Sequence, residues 1–193
     1  QVYERPLKGG GTEYVYATAG TENLKDWGTN LSQPLTVSRQ YDQSKRNAGL
    51  IDQQLGKEKE LTFTGHSLGG GEAAANAFAT GRDAITFNAS GVNHFSKRKY
   101  PNSKIDAYIL MSDPLNGAQN GPNLMPDVNG TRHYVIPKDF PSVINGHSIN
   151  SLLKAFDINP SKYTLPSTVQ PNDPNVIKGM ADFRREATRW QTW

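Results

Sequence analysis

Short apolar stretches alternate with helical patterns along this chain. Five stretches that are rich in β-branched or other apolar residues predict strands, namely 14–19, 60–64, 84–87, 105–111 and 132–136. The first of them can form a hairpin with residues 2–6 across the glycines at 9–11. Apolar residues at helical spacing predict helices at 34–55, 147–156 and 176–190, and an alanine-rich stretch predicts one at 72–79. Because strands alternate with helices, we predict a compact α/β fold, with a mostly parallel central sheet and helices on both faces.

The length and the polarity of the chain predict one domain. At 193 residues it is long enough for one full core and too short to argue for two, so we predict a single domain over residues 1–193. It has no apolar run long enough to span a bilayer and no secretory signal pattern. Because the chain starts at Gln1 rather than Met, we expect a processed product or a piece of a longer protein.

Charge and cysteine content exclude several kinds of function. The formal net charge is +3, from 21 basic and 18 acidic residues, which is too small to indicate nucleic-acid binding. The absence of cysteine excludes disulfides, cysteine-bound zinc and a thiol nucleophile. Residues 127–130 faintly resemble a calcium loop but lack its further acidic ligands and its bidentate glutamate. We therefore predict no metal and no cofactor.

The most informative motif is Gly-His-Ser-Leu-Gly at residues 65–69. A β-prone stretch precedes it and a strong helix former follows it, which is the context in which this motif forms a nucleophile elbow. Gly65 and Gly69 supply room where strand and helix cross at a tight turn. The sequence therefore predicts Ser67 as a nucleophile; the alternative is a glycine-rich turn that carries an incidental serine.

A serine nucleophile needs a histidine as its general base. Of the four histidines, His66 lies inside the elbow, where we expect a structural role with its side chain pointing away from the serine, and His94 follows in a polar stretch. His133 lies within a predicted strand, whereas His147 follows the last predicted strand at the start of a helix. Reactive groups collect at the carboxyl ends of parallel strands, so we predict His147 as the base. His133 as the base, or His147 as a helix cap only, are the alternatives.

The base needs an acidic residue that orients it. Asp113 follows the strand predicted at 105–111 and precedes Pro114, which ends that strand. The competing aspartates lie within a strand or in loops, namely Asp106, Asp127 and Asp139. We predict Asp113, although an ordinary Asp-Pro turn would look the same. The chain order Ser67, Asp113, His147 is that of α/β-hydrolases and differs from that of chymotrypsin-like and subtilisin-like proteases.

Hydrolysis of an ester also needs donors for the oxyanion that develops on the carbonyl. We expect one donor to be the backbone N–H of Leu68, the residue after the nucleophile. The second should come from the loop after an early strand, and residues 19–21 form such a loop.

These motifs resemble those of the class 3 lipase family. The family combines a Gly-His-Ser-Leu-Gly-Gly elbow with a Gly-Thr or Gly-Ser oxyanion turn and a Trp six residues further on, as Thr21 and Trp27 are spaced here. This chain has Ser112 where the family has Asn before its Asp-Pro pair. The resemblance covers about residues 14–148. It implies Thr21 as an oxyanion donor through its N–H, with its hydroxyl as a further candidate, and a lid region at 21–33, although Trp27 is also a candidate core anchor.

Within that family the chain looks most like lipase-type domains at the carboxyl ends of bacterial polymorphic toxins and secreted effectors. The similar stretches are residues 16–21, 26–33 and 84–91. This resemblance implies secretion or delivery by a bacterium as part of a longer protein. It also implies a cognate immunity protein as a partner.

Together the motifs predict a serine ester hydrolase of the lipase or phospholipase A type, acting on lipid acyl esters at a membrane surface through an acyl-enzyme. Two other interpretations remain open. One is a catalytically silent hydrolase fold that serves as an interaction module. The other is a serine peptidase or thioesterase with the same triad and a different pocket.

Overall fold

The computed structural model describes residues 1–20, 34–92, 98–119, 126–138, 145–159 and 167–168. Within these ranges the strands are β1 Val2–Pro6, β2 Thr12–Thr18, β3 Glu60–His66, β4 Asp83–Phe87, β5 Ile105–Leu110, β6 Thr131–Val135 and β7 Ser167–Thr168. The helices are α1 Pro34–Leu55, α2 Leu68–Thr80, α3 Pro114–Gln119 and α4 Ile149–Ala155. None of the helices in this part of the chain is long and apolar enough to cross a membrane.

The strands form one sheet in the order β6-β5-β4-β3-β2-β1-β7. From β2 to β6 all neighbours are parallel. Strand β1 is antiparallel to both of its neighbours, the edge strand β7 and β2, and it forms the expected hairpin with β2. The prediction of a mostly parallel α/β sheet is therefore confirmed.

One face of the sheet carries the main core. Side chains alternate between faces along a strand, and β3 presents Leu61 and Phe63 to the buried face. They belong to one cluster with Ala48 of α1 and with the alanines of α2. Small alanine side chains let α2 lie close against the strands, and nearly all of its residues are buried. This packing brings the start of α2 directly against the end of β3.

The opposite face carries a row of rings. Phe87 stacks on Tyr108 at a centroid distance of 5.8 Å, and Tyr108 stacks on His133 at 4.8 Å. Phe156, which follows α4, packs edge-on against Tyr108 at 5.7 Å. The residue that follows α4 therefore packs on this face, whereas α1 and α2 pack on the other.

Several element boundaries differ from the prediction. Helix α2 begins at Leu68 rather than at residue 72, because its buried position stabilises three glycines that would disfavour an isolated helix. The short α3 and the two-residue β7 were not predicted. The helix predicted at 176–190 lies outside the described residues.

Candidate active site

Ser67 lies on the turn between β3 and α2, at the carboxyl edge of the sheet. Its backbone has φ 59° and ψ −127°, a conformation that a side-chain-bearing residue adopts at a cost of roughly 1–3 kcal/mol. Three backbone hydrogen bonds hold it there. The Ser67 N–H donates to the carbonyl of Phe87 at 3.1 Å, and the Ser67 carbonyl accepts from Gly71 at 3.2 Å and from Ser90 at 3.0 Å. The fold therefore maintains a strained turn at the serine.

The crossing of β3 and α2 leaves no space for side chains at two glycines. A Cβ on Gly65 would lie 2.3 Å from the carbonyl oxygen of Gly69. A Cβ on Gly69 would lie 2.5 Å from the carbonyl oxygen of Thr18. Real Cβ atoms do not approach backbone so closely, so both positions require glycine, as expected from the elbow motif.

The structure brings together the serine, histidine and aspartate that the sequence singles out. Nε2 of His147 lies 2.8 Å from Oγ of Ser67, and Nδ1 of His147 lies 2.8 Å from Oδ1 of Asp113. All three residues are at most 5% exposed. Because the carboxylate accepts the proton on Nδ1, Nε2 is left with a lone pair that faces the serine hydroxyl. A continuous chain of hydrogen bonds thus links the three side chains.

Asp113 also caps the first turn of α3. Its Oδ1 accepts a hydrogen bond from the N–H of Leu115 at 3.0 Å, and Pro114 begins the helix. Its own N–H donates to the carbonyl of Leu110 at 2.8 Å. The Asp-Pro turn therefore also fixes the carboxylate of Asp113 toward His147.

The loop that carries His147 is held against the end of β5. A Cβ on Gly146 would lie 2.0 Å from the carbonyl oxygen of Ser112, so the two backbones touch. Nδ2 of Asn88 lies 3.4 Å from the carbonyl oxygen of Gly146. Ser148, not His147, caps α4 by accepting from the N–H of Asn150 at 3.2 Å. The alternative of His147 as a helix cap is therefore wrong.

His66 contacts the same loop, which the sequence did not indicate. Its Nε2 lies 2.7 Å from the backbone carbonyl oxygen of His147, and the two ring centroids are 4.9 Å apart. Burial is the main cause that lowers the pKa of His66 below its usual value, and the neighbouring His147 lowers this pKa further. The adjacency of His66 to the serine was visible in the sequence, but its partner, 81 residues away, was not.

Helix α1 supports the elbow through Tyr41. Its hydroxyl lies 3.1 Å from Oγ of Ser90, whose N–H in turn bonds the Ser67 carbonyl. Burial raises the pKa of Tyr41 to about 12, so its hydroxyl keeps its proton at neutral pH. No pattern in the sequence indicated this link, because Ser90 follows β4 and approaches α1 only in the folded sheet.

The competing residues lie apart from Ser67 or outside the described ranges. His133 of β6 bonds Asp106 of β5, with Nε2 and Oδ1 2.8 Å apart, on the face with the row of rings. Asp127 is exposed and pairs with Arg132. His94 and Asp139 lie outside the described residues. Within the described ranges, no group of three or more histidine or acidic side chains could hold a metal ion.

The loop after β2 lies directly against the elbow. A Cβ on Gly20 would be 2.8 Å from the carbonyl oxygen of His66 and 3.5 Å from Cβ of Ser67. Leu68 is the first residue of α2, so its N–H belongs to the helix end that lacks helical acceptors. Thr21, Trp27 and the lid expected at 21–33 lie outside the described residues, so the oxyanion role of Thr21 stays a prediction.

A parallel sheet with a serine on a strained strand-to-helix turn, hydrogen-bonded to a buried histidine and aspartate, is the arrangement of α/β-fold serine hydrolases. Comparison with known proteins supports this class and gives the family. The model of a phospholipase-like family, described as the Tle-like phospholipase domain, matches residues 1–149. The chain therefore belongs to the Tle-like phospholipase domain family, a group of carboxylic ester hydrolases. The prediction that the chain belongs to a lipase-like or phospholipase-like family is therefore confirmed.

One relative extends the likeness beyond the family match. An extracellular phospholipase A1 of Serratia liquefaciens is 31% identical over 182 residues, which cover 88% of this chain. The same alignment covers 53% of the relative, so this chain spans about half of the relative's length. The narrower resemblance to toxin domains stays a prediction.

Proposed function

We propose that this chain hydrolyses acyl esters of phospholipids as a serine enzyme of the phospholipase A type. The observation that carries the proposal is the hydrogen-bonded series Ser67, His147, Asp113, with both bonds at 2.8 Å and all three side chains buried. Membership of a phospholipase family supports the lipid substrate. A single domain over residues 1–193 is part of this proposal.

In the first half of the reaction, Oγ of Ser67 attacks the ester carbonyl carbon and Nε2 of His147 accepts the hydroxyl proton. The imidazolium that forms is stabilised by the carboxylate of Asp113 through Nδ1–H. The carbonyl oxygen becomes an oxyanion, for which the N–H groups of Leu68 and Thr21 are the proposed donors. Collapse of this intermediate breaks the ester C–O bond, and the leaving alkoxide takes the proton from His147.

In the second half, water replaces the leaving alcohol. His147 accepts a proton from the water as it attacks the acyl-serine, and then returns that proton to Oγ of Ser67. The products are a free fatty acid and a lysophospholipid, and the enzyme is regenerated. Every proton is moved by one imidazole, so no metal or cofactor takes part in the proposed cycle.

The name of the relative suggests which ester is cleaved and where. An extracellular phospholipase A1 is 31% identical to this chain, so we propose that the sn-1 ester is cleaved and that the protein acts after export. A membrane surface that presents phospholipid is then the partner of the enzyme. A cognate immunity protein stays a prediction of the toxin-domain resemblance.

Turnover by the wild-type protein and by Ser67→Ala tests the proposal. Both proteins are incubated with p-nitrophenyl butyrate and with vesicles of a phospholipid that carries different acyl chains at sn-1 and sn-2. Mass spectrometry then identifies the released fatty acid and lysophospholipid. We expect the wild type to release the sn-1 acid, and Ser67→Ala to lose nearly all turnover on both substrates.

Ser103→Ala is the matched control. Oγ of Ser103 bonds the carbonyl of Ala77 at 2.8 Å, just before β5 at the amino end of the sheet, so turnover should persist. A serine-directed phosphonate should label Ser67 and no other serine. Absence of turnover and of labelling in the wild type would support the silent interaction module instead. Cleavage of the p-nitrophenyl ester without cleavage of phospholipid would support a thioesterase or a peptidase.

A further inference from the structure

Residues 66 and 67 both contact His147. The side chain of His66 contacts the backbone of His147, and the side chain of Ser67 contacts its ring. Nε2 of His66 lies 2.7 Å from the carbonyl oxygen of His147. Oγ of Ser67 lies 2.8 Å from Nε2 of the same histidine. Two adjacent residues of the elbow therefore contact His147 at two separate points, and two points of attachment restrict rotation of the base relative to the nucleophile.

The direction of the His66 hydrogen bond follows from its partner. A carbonyl oxygen only accepts, so Nε2 of His66 must carry the proton and donate it. In the neutral ring this leaves Nδ1 without a proton. Burial and the charge of the neighbouring His147 lower the pKa of His66, so the ring stays neutral at the pH at which a serine hydrolase works. A neutral donor holds the loop without placing a positive charge beside the imidazolium that forms on His147.

The loop around His147 is attached to its surroundings at several points, and Oγ of Ser151 donates to the carbonyl oxygen of Asn145 at 2.7 Å. His147 lies in a turn, not on a strand, and α4 begins only at Ile149. The side-chain bond from Asn88 to the carbonyl oxygen of Gly146 is long, at 3.4 Å. Close packing of Gly146 on Ser112 restricts one side of the turn. The 2.7 Å bond from His66 attaches the backbone of this loop directly to the elbow.

We propose that His66 is a positioning residue, which fixes the backbone of His147 so that Nε2 of the base faces Oγ of Ser67. The proposal rests on the proposed function, because it acts through the base of that mechanism. His66 itself touches neither the serine hydroxyl nor the substrate in this role. Its contribution is geometric, and displacement of a catalytic group by about 1 Å costs on the order of 100-fold in rate.

Three substitutions of His66 distinguish the contribution of its N–H donor from that of its aromatic ring. His66→Gln keeps an N–H donor at about the reach of Nε2, His66→Asn places its donor one carbon short, and His66→Phe keeps the ring without a donor. We expect kcat for p-nitrophenyl butyrate to stay near that of the wild type in His66→Gln. We expect it to fall about 100-fold in His66→Phe and His66→Asn, with KM nearly unchanged, because alignment of the base matters in the transition state.

Two further measurements separate positioning from general stability. The rate at which a phosphonate labels Ser67 should fall in parallel with kcat, whereas partial unfolding would lower the labelled fraction and not the rate. The low-field proton NMR signal of the Nδ1–H between His147 and Asp113 should persist in His66→Gln and weaken in His66→Asn. His133→Phe is the control, since His133 bonds Asp106 away from this loop, and it should leave kcat unchanged.

Equal kcat in the Gln and Asn variants, or wild-type kcat in His66→Phe, would overturn the proposal. If His66→Phe does not fold, the comparison of Gln with Asn decides alone. A wild-type protein that hydrolyses no ester would contradict the proposed function, whereas an active wild type with active donor-free variants would contradict the role of His66 only.

Discussion

Two histidine–aspartate pairs among the described residues have hydrogen bonds of the same length, but one pair lies beyond the ends of β5 and β6 and the other lies on those two strands. His147 and Asp113 are 2.8 Å apart at the carboxyl edge, and so are His133 and Asp106 on the face with the row of rings. Their surroundings differ. The side chains of the first pair are 4% and 1% exposed, and those of the second are 40% and 24% exposed.

The difference explains why only the buried pair is proposed as catalytic. A carboxylate stabilises a positive imidazole far more where water is excluded than where water screens the charges. The buried pair also has a third group, the hydroxyl of Ser67, at the free nitrogen of the histidine. The half-exposed pair has Tyr108 stacked on the histidine ring and Lys104 near the carboxylate, at 3.5 Å. Burial and the third group therefore distinguish the two pairs.

The largest expected effect comes from removing each histidine in turn. His147→Ala should abolish turnover, with a loss of up to about a million-fold, because nucleophile and base act as one unit. His133→Ala should leave kcat and KM close to the wild type. Turnover of p-nitrophenyl butyrate by both purified variants measures the contrast. Loss of activity in His133→Ala together with retention in His147→Ala would reverse the assignment of the base.

Substitution of the two aspartates should show the same contrast in kcat, with a smaller loss than substitution of the histidines. Asp113→Asn should lower kcat about 10,000-fold, because the amide no longer fixes the tautomer of His147 or stabilises its positive form. Asp106→Asn should leave kcat unchanged, because no reacting group lies at His133. Single-turnover measurements with excess enzyme check both values. A comparable loss in the two variants would mean that the exposed pair takes part in the chemistry.

The proposed reaction at the buried pair also needs an N–H donor to the oxyanion of the substrate, and Thr21 is the predicted donor. Thr21→Pro removes the backbone N–H, and kcat should fall roughly 100- to 1,000-fold while KM for short esters changes less. Thr21→Ala keeps the N–H, so it should lower kcat only as far as the hydroxyl assists. Steady-state kinetics of the two variants, together with circular dichroism to show that they fold, test the donor. A folded Thr21→Pro protein with wild-type kcat would exclude it.

The smallest effect should be on stability, at the exposed pair. The hydrogen bond from His133 is the main cause that lowers the pKa of Asp106 below its usual value. A carboxyl group with a lowered folded-state pKa adds stability above its ordinary pKa of about 4 and loses that contribution as the pH falls through the folded-state value. Asp106→Asn should therefore destabilise the protein by about 1 kcal/mol or less at pH 7.

Unfolding measurements at several pH values test in which direction the stability difference changes with pH. Urea unfolding of the wild type and of Asp106→Asn at pH 7, and at decreasing pH as long as both proteins fold, measures the difference. The difference should shrink toward zero below about pH 4. A difference that stays undiminished well below pH 4 would show that the carboxylate of Asp106 is not what stabilises the protein at this pair.

Much of this fold and site follows from local patterns. The alternation of strands and helices predicted the parallel sheet, and the elbow motif predicted the strained turn at Ser67. Asp113 and His147 were found because both follow strands, and parallel strands bring their carboxyl ends to one edge. Their catalytic roles stay predictions, but the order of strands and helices was sufficient to predict where the two residues lie.

What the sequence did not predict depends on contacts between distant segments. The link from His66 to His147 joins residues that are far apart in the chain, and so does the link from Tyr41 to Ser90. Helix α2 extends through glycines that local propensity disfavours, because tertiary packing determines its start. The helix α3 is too short for periodicity to reveal, although Asp113 and Pro114 mark its beginning.

The distance along the chain between the site residues determines when the site can form. Ser67 and His147 are 80 residues apart, and Asp113 and His147 are 34 residues apart. The serine follows β3 and its base follows β6, three strands away in the sheet, and such long-range parallel pairing is slow. Under the proposed mechanism, a growing or refolding chain is therefore inactive until the segment around residue 147 has docked. If the proposed function holds, the appearance of activity reports that this segment has docked, and hydrolysis is insensitive to molecules that have only begun to fold.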